Sequence, residues 1–115
     1  MAVPKPGGPI RGSKTGRPVM AALDLLGRRW TLRLLWELRG GPLTFRELRA
    51  RCDEMSPTVL NQRLGELRDV HILESTDEGY ALTNDGRGLM KALKPLLTWS
   101  EAWAAGQQSE RKKNC

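Results

Sequence analysis

A chain of 115 residues with a formal charge of +6 is long enough to bury one core without disulfide or metal staples and too short for two ordinary domains. Its two cysteines, Cys52 and Cys115, cannot build a secreted disulfide scaffold, and no apolar run approaches the length of a membrane span. One small domain in a reducing, cytoplasmic setting is expected, with no membrane partner, since the start MAVPKPGGPIRG lacks the apolar core of a signal peptide.

The charge is unevenly placed. Residues 1 to 17 carry Lys5, Arg11, Lys14 and Arg17 with no acid, and residues 106 to 115 carry Arg111, Lys112 and Lys113 against Glu110. The body from 18 to 105 holds 12 bases and 12 acids and is neutral overall. Within it, residues 28 to 68 hold nine arginines against five acids, and residues 69 to 105 hold three bases against six acids. That grading suits a chain with one surface for phosphate and another for a different partner.

Residues 1 to 16 contain three of the seven prolines and four of the twelve glycines with almost no large apolar group, so they are expected to form a disordered basic arm. Such an arm either adds phosphate contacts or is a solvated tail. Pro18 opens a first helix over 18–26, with Val19, Ala22, Leu23 and Leu26 spaced for one buried face and Gly27 as its stop. The segment WTLRLLWELR forms a second helix with Thr31, Leu34, Leu35 and Leu38 on its inner side, ended by Gly40, Gly41 and Pro42. Leu43 and Thr44 can pair as a very short strand. Thr44 and Glu47 then make a T-x-x-E capping box for a third helix from Phe45 to about Cys52, with Phe45, Leu48 and Cys52 inward. Cys52 has no second cysteine or histidine nearby and reads as a small buried apolar residue.

The stretch MSPTVLNQRLGELRDVH, residues 55 to 71, follows after a link of about three residues, and two helices joined so tightly form a helix-turn-helix. Ser56 caps this fourth helix, Pro57 fits its first turn, and Leu60, Leu64 and Leu67 form its buried stripe. Thr58, Gln62, Gly65 and Asp69 lie opposite, with Asn61 and Glu66 on the flanks. Ile72, Leu73, Tyr80 and Leu82, around the turn signal Asp77, Glu78, Gly79, predict a β-hairpin, so the fold is mainly α with a small hairpin: a winged helix-turn-helix. Thr83 caps a last helix from Asn84 to about Ala105, kinked at Pro95, and residues 106–115 read as a disordered tail. Leu89, Met90, Leu93, Leu96, Leu97, Trp99 and Trp103 cover close to half of that helix, more than packing on one domain needs. The surplus serves a subunit interface or covers the first helix of the same chain.

Four blocks in order carry a family resemblance: GRRWTLRLLWEL around Trp30, FREL at Phe45 to Leu48, MSPTVLNQRLGEL ending at Leu67, and LTNDGRGL at Leu82 to Leu89. Together they resemble the HxlR-type bacterial winged-helix transcriptional regulators, related to MarR-like folds, over residues 17 to 103. The resemblance implies a homodimer held by the first and last helices, with Val19, Leu23, Leu93, Leu96, Leu97, Trp99 and Trp103 at the interface. It also implies a fourth helix in the major groove and a wing on the flanking backbone. Many family members place a cysteine just before the Pro-Val of the first helix, and some use it to sense oxidants or electrophiles; here Arg17 occupies that position. The wing is short, with eight residues between Leu73 and Leu82, and Asp77 and Glu78 at its turn would repel phosphate.

The expected function is sequence-specific binding of double-stranded DNA at an inverted-repeat operator. Ser56, Thr58, Asn61 and Gln62 are the candidates for bases or nearby phosphates, the two amides above all, because an amide pairs bidentately with adenine. Arg28, Arg29 and Arg46 stand near helix starts as phosphate candidates, and Arg63 either clamps a phosphate or supports the wing. Chemistry of another kind has little support: the one histidine, His71, has no ligand-spaced cysteine, and Gly86-Arg87-Gly88 lacks the third glycine and the preceding strand of a dinucleotide fingerprint. No catalytic residue, metal or cofactor is expected. A winged helix used only for protein contact is the alternative. A small-molecule effector of unknown identity, held between subunits near Trp36, Trp99 and Trp103, is set against the commoner role of such tryptophans as core.

Overall fold

The computed structural model describes residues 17–113, with side chains described to Ser109. The expected basic arm, Cys115 and the last residues of the expected tail lie outside that range. Five helices and one hairpin follow in order: α1 (Pro18–Leu26), α2 (Thr31–Leu38), α3 (Phe45–Arg51), α4 (Pro57–Asp69), β1 (Leu73–Thr76), β2 (Gly79–Leu82) and α5 (Asn84–Lys113). The architecture is a winged helix-turn-helix, as the hydrophobic pattern predicts.

Leucine spacing decides the core. Leu34, Leu35 and Leu38 of α2, Leu48 of α3 and Leu60, Leu64 and Leu67 of α4 are all buried, and Cys52 and Met55 fill the space between α3 and α4. Leu73 and Leu82 close this core from the hairpin. Burial pushes the Cys52 thiol above its ordinary range, which keeps it protonated and suits a packing role.

The predicted caps are in place. The Thr44 hydroxyl accepts from the Glu47 N–H at 3.1 Å while the Glu47 carboxylate accepts from the Thr44 N–H at 3.0 Å. The latter bond holds the Glu47 carboxyl below its usual range, so the box persists at neutral pH and is lost as pH falls through the lowered pKa. Ser56 accepts from the Val59 N–H, and Thr83 from the Gly86 N–H at 3.0 Å.

In the hairpin, Leu73 pairs with Leu82 and Thr76 with Gly79, leaving Asp77 and Glu78 as a two-residue turn. Leu43 extends the sheet by a single bridge, exchanging backbone bonds of 2.8 and 3.0 Å with Tyr80. At Gly86 a Cβ would meet the Ile72 carbonyl oxygen at 2.3 Å, so the GRG segment is close packing of a helix start against the hairpin.

Two helix ends depart from the glycine rule. After α4, the His71 N–H bonds the Arg68 carbonyl at 3.0 Å and the Ile72 N–H bonds the Leu67 carbonyl at 2.9 Å, a Schellman closure with His71 at φ 61°. After α3, Asp53 and Glu54 both lie at positive φ, and the Glu54 N–H reaches back to the Arg49 carbonyl at 2.9 Å. Such a conformation crowds a Cβ, and His71 is exposed, so its side chain gains little in return. His71→Gly is therefore expected to stabilise the protein by about 0.5–1 kcal/mol, raising the melting temperature by several degrees in a thermal scan. A fall in melting temperature would show that the imidazole makes a contact worth more than the strain.

Three expectations need correction. The buried face of α1 is Ala21 and Leu25, while Val19 and Leu23 are each 58% exposed, because the core meets α1 on a different side from the predicted stripe. The last helix runs to Lys113 instead of Ala105, since Gln107 to Lys113 are good helix formers or tolerated. Pro95 lies inside this helix. Trp36, Trp99 and Trp103 are not core; they are 37%, 57% and 55% exposed, and Trp99 stacks on Trp103 with centroids 5.4 Å apart. Helical spacing identifies a shared face, but only the position of neighbouring elements decides whether that face is covered.

Candidate nucleic-acid interface

The α3–α4 pair presents its polar side outward because the leucine stripe of α4 is fully consumed by the core. Ser56, Thr58, Asn61 and Gln62 are all exposed along that side, and Arg46, in the first turn of α3, is exposed beside the same helix-turn-helix. The turn between the helices is braced by Arg49, whose Nε donates to the Met55 carbonyl at 2.8 Å and whose guanidinium pairs with Glu54 at 3.5 Å. Ser56 and the polar face of α4 thus start from a fixed point. Neutral amides and hydroxyls at this position can pair with base edges, whereas the surrounding arginines can meet phosphate without regard to sequence.

The arginines are not equivalent. Arg29 is exposed and lies against the Trp30 ring, 5.9 Å from its centroid. Arg28 and Arg63 turn inward instead. Arg28 donates to Glu66 at 2.5 Å and to Asp24 at 3.1 Å, and Arg63 donates to Glu66 at 3.0 Å and, through Nε, to the Arg29 carbonyl at 2.8 Å. The side chains of Arg28, Arg63 and Glu66 are only 15%, 16% and 9% exposed. Arg63 therefore braces the α1–α2 connection and does not support the wing, and Glu66, expected on the outer flank, is buried.

Sequence reading missed Glu66 and Asp24 as members of this cluster. The i,i+3 spacing of Arg63 with Glu66 and the i,i+4 spacing of Asp24 with Arg28 were available signals. What no spacing could show is that the two local pairs meet, because 38 residues separate Arg28 from Glu66. Arg68, exposed on the Asn61 flank of α4 and facing the groove toward Glu74 and Ser75, is a further cation near the polar face of α4.

Exposed apolar side chains are found on α1 and α5. Val19 and Leu23 of α1, and Leu96, Leu97, Trp99 and Trp103 of α5, are exposed at 40% or more, with Leu93 half-buried. An open groove of about 800 Å³ runs between α2 and α5, lined by Leu32, Trp36, Met90, Leu93, Leu96 and Leu97, and Arg39 stacks on Trp36 at 3.7 Å. Isolated exposed leucines are ordinary, but on α5 two stacked tryptophans stand on the same helix as exposed Leu96 and Leu97, more than a monomer surface usually leaves open. Among the described residues no cluster of histidine, cysteine and carboxylates could hold a metal ion, and no helix is long and apolar enough to cross a membrane.

Comparison with known proteins places this geometry. The profile of the HxlR-like helix-turn-helix family matches residues 25–108. The chain is 32% identical over 89 residues to the HTH-type transcriptional regulator YvaP of Bacillus subtilis, covering 71% of this chain and 82% of that protein. It also resembles the quinone-bound structure of YodB from B. subtilis, at 30% identity and a TM-score of 0.69, covering 73% of this chain and 96% of that one. A MarR-family regulator structure from Enterococcus faecalis V583 aligns with 28% identity and a TM-score of 0.69 over 89% of this chain and 99% of that one.

Proposed function

From the premise that the chain belongs to the HxlR-like helix-turn-helix family of transcriptional regulators, and is no enzyme, we propose that it is a dimeric repressor or activator that reads an inverted-repeat operator with α4. The observation that carries the reading is the exposed Ser56, Thr58, Asn61, Gln62 face set on a helix whose opposite side is wholly buried. In this reading Asn61 and Gln62 meet base edges, Ser56 and Thr58 meet bases or adjacent phosphates, and Arg29 and Arg46 neutralise backbone on either side. Arg28 and Arg63, engaged with Glu66, brace the scaffold.

A second copy covers the exposed apolar side chains of α1 and α5, and the two-fold axis sets two α4 helices about 34 Å apart, one turn of DNA. The wing, with Asp77 and Glu78 at its tip, stays off the phosphates. Cytoplasmic location, on the nucleoid when bound, follows from this role. The relative YodB, solved with a quinone, makes a flat apolar ligand the first effector class to try in the groove between α2 and α5.

The test is fluorescence anisotropy on random duplex at two salt concentrations, on duplexes selected by the protein from a randomised library, and sedimentation for mass. Expected are salt-dependent binding, enrichment of a pseudo-palindrome, and twice the 12.9 kDa of one chain. A winged helix used solely for protein contact would bind neither duplex even at low salt.

A further inference from the structure

The cluster of Arg28, Arg63, Asp24 and Glu66 sits beside Gln62 in an open concavity formed by Leu23, Asp24, Gly27, Arg28, Gln62, Arg63 and Glu66. Its two arginines and two carboxylates sum to zero charge. Each Glu66 oxygen takes one arginine: Oε2 that of the α1–α2 connection, Oε1 that of α4 itself. The Arg63 Nε bond to the Arg29 carbonyl then fixes the backbone just before Trp30, which opens α2 from a positive φ of 77°. One carboxylate thereby joins the helix bearing the exposed Leu23, the start of the second helix and the helix bearing Gln62.

We propose that Glu66 is a specificity-determining positioning residue, which holds Arg28 and Arg63 away from the DNA backbone and fixes α4 against the α1–α2 connection. The inference rests on the DNA-binding reading above and deepens it. An arginine beside a base-reading amide offers affinity for any sequence, since phosphate is everywhere; two such arginines would raise random and operator binding alike. Drawn onto a buried carboxylate they cannot extend to phosphate without leaving that charge unpaired, and unpairing a buried charge is costly. Discrimination is then left to the neutral amide face. The same bonds carry the position of α1, and with it any shift of the subunit contact, directly to Gln62.

The test uses Glu66→Gln in the full chain, which keeps the shape and an acceptor oxygen but removes the charge. Anisotropy is measured on a random duplex and on the duplex selected by the wild-type protein, over a series of salt concentrations, with thermal melting to check folding. Releasing the arginines should steepen the dependence of log affinity on log salt by about 1–2, at ~0.9 per added phosphate contact. The ratio of selected to random affinity should fall roughly tenfold. Adding Arg63→Gln to Glu66→Gln should take back about half of the added slope, which a merely structural role of Glu66 would not produce. Arg63→Gln alone, informative even if Glu66→Gln does not fold, should leave the wild-type slope unchanged; a slope shallower by about 1 would mean that Arg63 already contacts phosphate and would overturn the proposal. Unchanged slope and ratio in Glu66→Gln would overturn it while the wild type still binds DNA. A wild type that binds neither duplex defeats the DNA-binding reading itself, and this inference with it.

Discussion

Replacing Asn61 and Gln62 together by alanine is expected to lower the ratio of operator to random-duplex affinity by about 100-fold or more, because each bidentate amide–base pair contributes roughly 1–3 kcal/mol of discrimination. Random-duplex affinity and its salt slope should change little, since neither side chain carries charge. Both residues are exposed on α4 and alanine is a better helix former than either, so unfolding cannot account for the loss. Competition anisotropy with the two duplexes gives the ratio directly. Equal loss on both duplexes would mean that the two amides contribute general affinity and that base reading lies elsewhere on the helix, with Thr58 and Ser56 the next positions to replace.

The largest stability effect should come from Gly79→Ala. Gly79 has φ 122°, and a Cβ there would lie 2.4 Å from the Leu43 carbonyl oxygen and 2.8 Å from the Thr44 nitrogen, both backbone atoms that no rotamer change can move. The substitution combines an unfavourable backbone region with a clash, together about 3–5 kcal/mol. That is a large part of the 5–15 kcal/mol that holds a typical domain together. It should also break the Leu43–Tyr80 bridge, which ties the hairpin to the segment just before α3. Thermal melting measures the loss, and accelerated amide exchange at Leu43 and Tyr80 locates it. Gly88→Ala, within α5 with nothing within 4 Å of the added Cβ, is the matched control and should stabilise by about 0.5–1 kcal/mol. Equal behaviour of the two variants would show that the hairpin relaxes freely and that the bridge does not organise it.

The helix-turn-helix was legible because its determinants are local. Thr44 and Glu47, Ser56 and Pro57, Thr83 with Gly86, and the leucines of α2 and α4 each act within one or two turns, and a 3.6-residue period records which side of a helix meets apolar neighbours. The hairpin was legible for the same reason, from a turn cluster between two apolar pairs. Where reading failed, the deciding partner lay far off in the chain. Val19 and Leu23 have spacing as good as that of Ala21 and Leu25, and only the direction in which α2 approaches selects the latter pair. The positive φ of His71 and Glu54 is a different case, since there the deciding bonds are local, Ile72 to Leu67 and Glu54 to Arg49, and helix closure overrides residue preference.

The charge shows the same division. Nine arginines against five acids between residues 28 and 68 announce a basic region, and the sequence by itself determined the helix order and the neutral amide face of α4. It could not say which arginines remain free to meet a polyanion. That depends on Glu66 reaching Arg28 across 38 residues, and on α5 leaving the core after Met90 so that its tryptophans stay open. Helix periodicity is set by bonds between near neighbours; the partner of a charge, and the cover on an apolar face, are set by elements that the fold brings together from opposite ends of the chain.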